Sequence, residues 1–278
     1  MALKLMYITN DTIVAKIAED NGVDRIFMDM EYIGKEKRQP GDTVKSHHTV
    51  EDIRRVRSVI TKSEIMVRVN PLTPKNEEFI GSEAEINEVI SAGADVIMLP
   101  MARSACEVLE FIKIVGGRVK TMFLLETREA AENLDEILEV EGLDEVHIGL
   151  NDLHLSLGEH FMFEPLADGT VDILTRKIAE RGLPYGFGGI ARIGYGMLPA
   201  EKVITEHYRL GSTFAILSRS FCNIGNITDE KEVREIFARG VKSIRDFEGG
   251  LSGYTPEDFE ENRLEVVRLV SEIVGQVK

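Results

Sequence analysis

Acids, an arginine and two histidines stand in this chain where apolar runs end. Asp29, Glu31 and Tyr32 close RIFMDMEY, Arg68 and Asn70 close MVRVN, Glu126 closes MFLLE, and Asp152 follows HIGLN. Carboxylates so placed hold a hard cation or move a proton. If Glu126 and Asp152 end adjacent strands, ~4.8 Å apart, they can share Mg2+ or Mn2+, with water and substrate in the open positions. In a chain with 48 acids, two solvated carboxylates are the competing reading. A guanidinium at Arg68 is costly to bury without an anion. Its partner is a substrate carboxylate or a structural acid among Asp29, Glu31 and Glu126. Asp29 is a base-orienting acid or a loop cap. His47 and His48 are a proton-shuttle candidate at neutral pH or an idle exposed pair. His154 can reach the same site. His147 reads as a packed strand residue and His207 as part of a helix. The glycines of GFGGIAR (186–192) would let backbone approach a ligand, with Arg192 on an anionic group, although a lone glycine cluster is a weak signal.

Such residues need a frame that brings distant segments to one place. A recurring junction supplies it. Asn21-Gly22-Val23-Asp24, Ala92-Gly93-Ala94-Asp95 and Glu141-Gly142-Leu143-Asp144 each precede an apolar run, and looser copies surround Gly182 and Gly211. Glycine past a helix end takes a left-handed conformation, so each junction reads as helix, stop, turn and buried strand. Continuous apolar runs are expected where both faces of a strand are covered. Strands are predicted near 3–8, 25–30, 64–69, 96–100, 120–126, 145–150, 185–190 and 213–218, with helices between. Ser82-x-x-Glu85 and Ser104-x-x-Glu107 fit capping boxes. The alternation predicts a (β/α)8 TIM barrel with an extra C-terminal helix. A doubly wound open sheet is the alternative, weakened by the lack of a G-x-G-x-x-G turn. The expected division is a barrel over 1–250 and a helical extension over 251–278. There Val267, Val270, Val274 and Val277 form an apolar stripe that must cover the barrel or a neighbouring subunit.

The whole-chain numbers narrow the classes. There are 278 residues, 43% hydrophobic and 29% charged, with a net charge of -15. This balance argues against nucleic acid and anionic membrane as partners, but leaves room for a small acidic substrate at a locally cationic site. Cys106 and Cys222 provide neither a disulfide framework nor a thiolate zinc motif. No signal-peptide pattern or run of ~20 apolar residues appears, so a cytoplasmic protein is expected.

In order, MDMEY, MVRVNP, GADVIMLPMARSACEV, LLETREAAENLDEI and HIGLNDLHLSLG resemble the HpcH/HpaI aldolase and citrate lyase family. The resemblance runs from about residue 20 to about residue 220. It implies a barrel enzyme that binds a divalent metal and forms a pyruvate-type enolate, in oligomers that exchange the last barrel helix. It further implies Glu126 and Asp152 as metal ligands, and Arg68 as the holder of pyruvyl oxygens. Asp29 would orient the base, and the backbone at Leu150 and Asn151 would line the substrate carboxylate. Two departures stand out: Tyr32 replaces the family's histidine, and Leu124 its glutamine. Tyrosine, with a reference pKa of ~10, is a poor neutral-pH base. The following loop is polar and basic, with Gly34, Lys35, Lys37, Arg38, Lys45, His47 and His48. It is expected to supply the replacement base, His48, or to contact an anionic or sugar-derived substrate. The alternatives are Tyr32 as a general acid toward the aldehyde, or metal-bound water as the proton carrier.

The expected function is a metal-dependent aldolase or lyase of 2-oxo acids, with Mg2+ or Mn2+ as cofactor and an aldehyde as second substrate, in a homo-oligomer. An acyl-CoA lyase of the malyl or citramalyl type, or a metabolite-binding barrel without turnover, are the other readings.

Overall fold

The computed structural model describes residues 2–35, 47–222 and 229–277. Eight parallel strands form a closed barrel in sequence order. They are β1 Lys4–Ile8, β2 Arg25–Asp29, β3 Glu64–Arg68, β4 Val96–Leu99, β5 Lys120–Leu125, β6 Glu145–Ile148, β7 Tyr185–Ile190 and β8 Phe214–Leu217. Each expected strand is present, and pairing of β1 with β8 closes the ring, which excludes the open sheet. No helix among the described residues is long and apolar enough to cross a membrane.

The glycine junctions work as the sequence implies. Gly22, Gly93, Gly142, Gly182 and Gly211 all have positive φ. The aspartate that follows three of them has a second task. The carboxylates of Asp24, Asp95 and Asp144 accept the N–H of Leu5, Ile65 and Thr121 at 2.8, 2.7 and 2.8 Å. Each therefore satisfies a backbone donor at the start of the preceding strand, where the barrel has no further rung to offer it.

The interior is layered. The inward pairs of β2 and β3 run Arg25↔Glu64, Phe27↔Met66 and Asp29↔Arg68. At the lower end, fully buried Arg25 meets Glu145 through both terminal nitrogens, at 2.5 and 2.7 Å, and Glu64 at 2.7 Å. Above this lies an apolar plug including Met6, Phe27, Met66, Met122 and Phe214. At Gly186 a Cβ would fall 2.1 Å from the Phe214 carbonyl oxygen, so only glycine lets β7 approach β8 there. The register of that pair shifts between Gly186 and Gly189.

The helix ends depart from expectation once. The Ser104–Glu107 capping box forms. At Ser82 it does not: Gly81 is the cap, and Glu85 instead takes the Asn70 amide at 2.6 Å. Asn70 in turn accepts the N–H groups of Tyr32 and Ile33, at 2.9 and 3.0 Å. The carboxylate is spent on fixing the loop after β2.

Two long helices follow β8. Helix Glu230–Leu251 buries Val233, Phe237 and Ile244, and Phe237 meets the Tyr7 ring edge-on at 4.9 Å. Helix Pro256–Val277 packs along helix Ala200–Arg209 of the same chain, where buried Asn262 donates to Glu206 Oε1 at 2.8 Å. Its buried positions are Asn262, Val266 and Val270, four residues apart. Val267 and Val274 are half-buried beside them, and the Val277 side chain lies outside the described residues.

Candidate active site

A cavity of about 170 Å3 opens at the carboxyl ends of the strands. Arg68, Leu124, Glu126, Leu150, Asn151 and Asp152 all line it, together with Gly149, Gly188 and Gly189. The ends of four strands, β3, β5, β6 and β7, thus converge as barrel geometry requires.

Glu126 follows β5 and is buried. One oxygen accepts the Met101 N–H at 3.1 Å. Met101 has a φ of 59°, a left-handed conformation that non-glycine residues resist. Across the cavity a Cβ at Gly149 would lie 3.0 Å from Glu126 Oε2, so glycine leaves the carboxylate its room. Burial pushes the Glu126 carboxyl up to about 8, and the like charge of Asp152 adds to this against the opposing pull of Arg68. Asp152 lies in the first turn of helix Leu150–Leu157. Two buried carboxylates that repel one another form an oxygen donor set suited to a hard cation. Among the described residues no group of three or more His, Cys, Asp or Glu side chains is arranged to hold a metal. Any such ion at this pair would need water or substrate to complete its shell. Gly149, the residue before that helix, provides no side-chain cap, leaving first-turn N–H groups open to an anion.

Arg68 is engaged on its other side. Its Nε and Nη2 donate to the two Asp29 oxygens, each at 2.9 Å, and Nη1 lies 3.4 Å from Glu31. Lys35, also buried, donates to Asp29 Oδ2 at 2.7 Å. Burial alone would raise the Asp29 carboxyl, but Arg68 and Lys35 hold it far below the usual carboxylate range. The side chain of Asp29 therefore orients the arginine, and Asp29 and Glu31 face Arg68 and Lys35.

The proton-transfer candidates stand apart from the cavity. Tyr32 is 47% exposed and sets its ring against Phe79, with centroids 6.5 Å apart. His48 Nδ1 accepts the backbone N–H of Asp29 at 3.0 Å. The proton of its neutral ring is then on Nε2, and burial lowers its affinity for a second. Neither side chain lines the cavity. His154 turns back onto the Leu150 carbonyl at 3.1 Å. Arg192 lies over the Tyr195 ring, 4.4 Å from its centre, beside a different cavity. His47 is exposed, and Lys37, Arg38 and Lys45 lie outside the described residues.

His147 is the packed strand residue expected, buried in β6 against Phe214, and it also lines the cavity. Glu145, His147 and Gly149 alternate on one strand, and period two puts all three on the inward face. That spacing was the available signal. For Lys35, a lysine in a polar loop, the sequence holds no sign of burial.

The family model for HpcH/HpaI aldolase/citrate lyase matches residues 5–164. A 2-keto-3-deoxy-L-rhamnonate aldolase of Escherichia coli is 28% identical over 142 residues, covering 40% of this chain and 53% of that protein. The chain thus spans about half the length of the curated relatives it matches. Among solved structures, an HpcH/HpaI aldolase from Desulfitobacterium hafniense DCB-2 superposes with a TM-score of 0.61 at 19% identity, over 92% of this chain and 96% of that one. A family protein from Burkholderia cenocepacia J2315 gives 0.61 at 13% identity, over 84% and 95%. These two likenesses support the fold. With more than half of its length matched by the family model, the chain belongs to the HpcH/HpaI aldolase/citrate lyase family.

Proposed function

We propose that the protein is a metal-dependent aldolase or lyase that makes or breaks a carbon–carbon bond through the enolate of a small 2-oxo acid. The observation that carries this is the convergence of Glu126, Asp152 and Arg68 on one small cavity. Its volume, about 170 Å3, suits a three-carbon acid better than a CoA thioester, since drug-sized ligands occupy ~300–1,000 Å3. A divalent ion held by Glu126 and Asp152 would supply Lewis-acid polarisation of the 2-oxo oxygen.

The chain's own groups supply the rest. Arg68, fixed by Asp29, presents a cation where enolate charge develops. The open N–H groups at the start of helix Leu150–Leu157 receive the substrate carboxylate. Met98, Leu124 and Ile216 give an apolar wall that excludes water.

A second reading, a barrel that binds a 2-oxo acid without turnover, draws support from one observation: Tyr32 and His48 do not line the cavity. Methyl deuterium exchange of pyruvate in D2O with Mg2+ or Mn2+ separates the two. Exchange is expected in the wild type and lost in Glu126→Ala and Asp152→Ala, which should also lose metal binding by calorimetry. Tyr32→Phe and His48→Asn should retain exchange within a few-fold. Saturable pyruvate binding without exchange would support the non-catalytic reading, and unaltered metal affinity in both alanine variants would end the metal assignment.

A further inference from the structure

The Asp29 carboxylate is fully engaged. Arg68 Nε and the Glu31 N–H donate to Oδ1 at 2.9 and 3.3 Å, and Arg68 Nη2 and Lys35 Nζ donate to Oδ2 at 2.9 and 2.7 Å. Roughly four bonds fill a carboxylate. Lys35 Nζ also reaches Glu31, 3.4 Å from its carbonyl oxygen and 4.0 Å from Oε2. Asp29, Glu31 and Lys35 are buried, at 0%, 1% and 2% exposure. Lys35 does not line the cavity, so it acts on a ligand there through its neighbours.

Charge decides what that action is. Asp29 and Glu31 both pair with Arg68, and Glu126 and Asp152 line the same cavity as the arginine. Without Lys35, the acids touching Arg68 would outnumber it, and the mouth would repel an anion. With Lys35 the group is balanced, and the field of Arg68 reaches the cavity. Arg219, past β8, also acts on Asp29 and Arg68, but it is exposed, where water and salt screen it. We infer that Lys35 is a positioning residue: its ammonium takes up charge on Asp29, so that Asp29 orients Arg68 without cancelling it, and Arg68 remains able to hold the anionic 2-oxo acid. The inference rests on the 2-oxo acid reading above. Lys35 itself touches no substrate and moves no proton.

Calorimetric titration of the protein with Mn2+, and of the Mn2+-loaded protein with pyruvate, tests it. Lys35→Gln, which is neutral but can still donate to Asp29, should weaken pyruvate binding about tenfold or more. Its Mn2+ affinity should hold or rise, because a nearby cation is gone. The two readouts separate charge from damage, since a site that had merely loosened would lose both ligands. Adding Glu31→Gln restores the balance of charge and should return pyruvate affinity to within about threefold of the wild type. Lys35→Met carries the same expectations should the glutamine variant fail to fold. Unchanged pyruvate affinity in Lys35→Gln overturns the inference alone. So does loss of Mn2+ and pyruvate binding together, which would make Lys35 a structural residue. A double variant no better than the single also overturns it. A wild type that binds no pyruvate removes the 2-oxo acid reading itself.

Discussion

At the scale of single residues, the cavity is governed by charges that cannot reach water. Glu126 shows the consequence. With its carboxyl raised from 4.5 to about 8, the folded protein keeps a proton that the unfolded chain releases. Stability from this group is therefore full below pH 4.5, falls as pH rises, and is lost above about 8. In thermal melts with EDTA, the wild type should lose stability relative to Glu126→Gln between pH 5 and 8, with the difference levelling off above that. Added Mn2+ should reverse the loss in the wild type and leave the glutamine variant unmoved. A parallel pH profile for the two proteins would show that the carboxyl is not raised. Arg68, Glu126, Leu150, Asn151 and Asp152 were legible because each falls at a strand end, where topology alone brings it to the mouth. Lys35 and the orientations of Tyr32 and His48 were not. They depend on how the loop after β2 folds back onto Asn70 and Asp29, and no periodicity encodes that.

At the scale of elements, apolar runs made all eight strands readable, five of them led by a glycine junction, because a strand covered on both faces is apolar throughout. The aspartate closing three of the junctions carried information that the pattern alone did not reveal. Asp95 accepts the Ile65 N–H and also meets Arg57 at 2.8 Å. Replacing it with alanine should cost about 1–3 kcal/mol, since it leaves a strand-end donor unsatisfied, and urea unfolding will measure it. Asp95→Asn, which keeps an acceptor, should recover at least half of the loss. An equal loss in both variants would assign the effect to the Arg57 ion pair. The capping box read at Ser82 failed for a related reason: a carboxylate can serve one partner set, and Asn70 outcompetes the helix end for Glu85. The last helix shows the limit of reading a stripe by apolarity, since its most buried line begins with Asn262, a polar residue satisfied by Glu206.

At the scale of the whole molecule, the net charge of -15 conceals an interior arranged as ion group, apolar plug, ion group along the barrel axis. The lower group centres on Arg25. Removing that guanidinium strands buried Glu145 in the barrel floor, while Glu64 keeps Lys120 at 2.6 Å, so Arg25→Ala should lose about 3–5 kcal/mol. The Arg25→Met/Glu145→Leu double variant should recover much of it, because the pair's burial cost disappears with the pair. Denaturant midpoints for the three proteins decide this, and a double variant as weak as the single would argue that Arg25 acts through packing alone. The aspartate clamps, finally, divide the ring unequally. They lock β1 to β2, β3 to β4 and β5 to β6. At the fourth couple Thr213 takes the aspartate's place, donating its N–H to Tyr185 O at 2.8 Å and its hydroxyl at 3.0 Å, and no carboxylate among the described residues receives the start of β7. That couple is also where the register slips and where Gly188 and Gly189 face the cavity. The barrel therefore has a seam, and its cavity lies between three keyed couples and one whose fit is set by glycine.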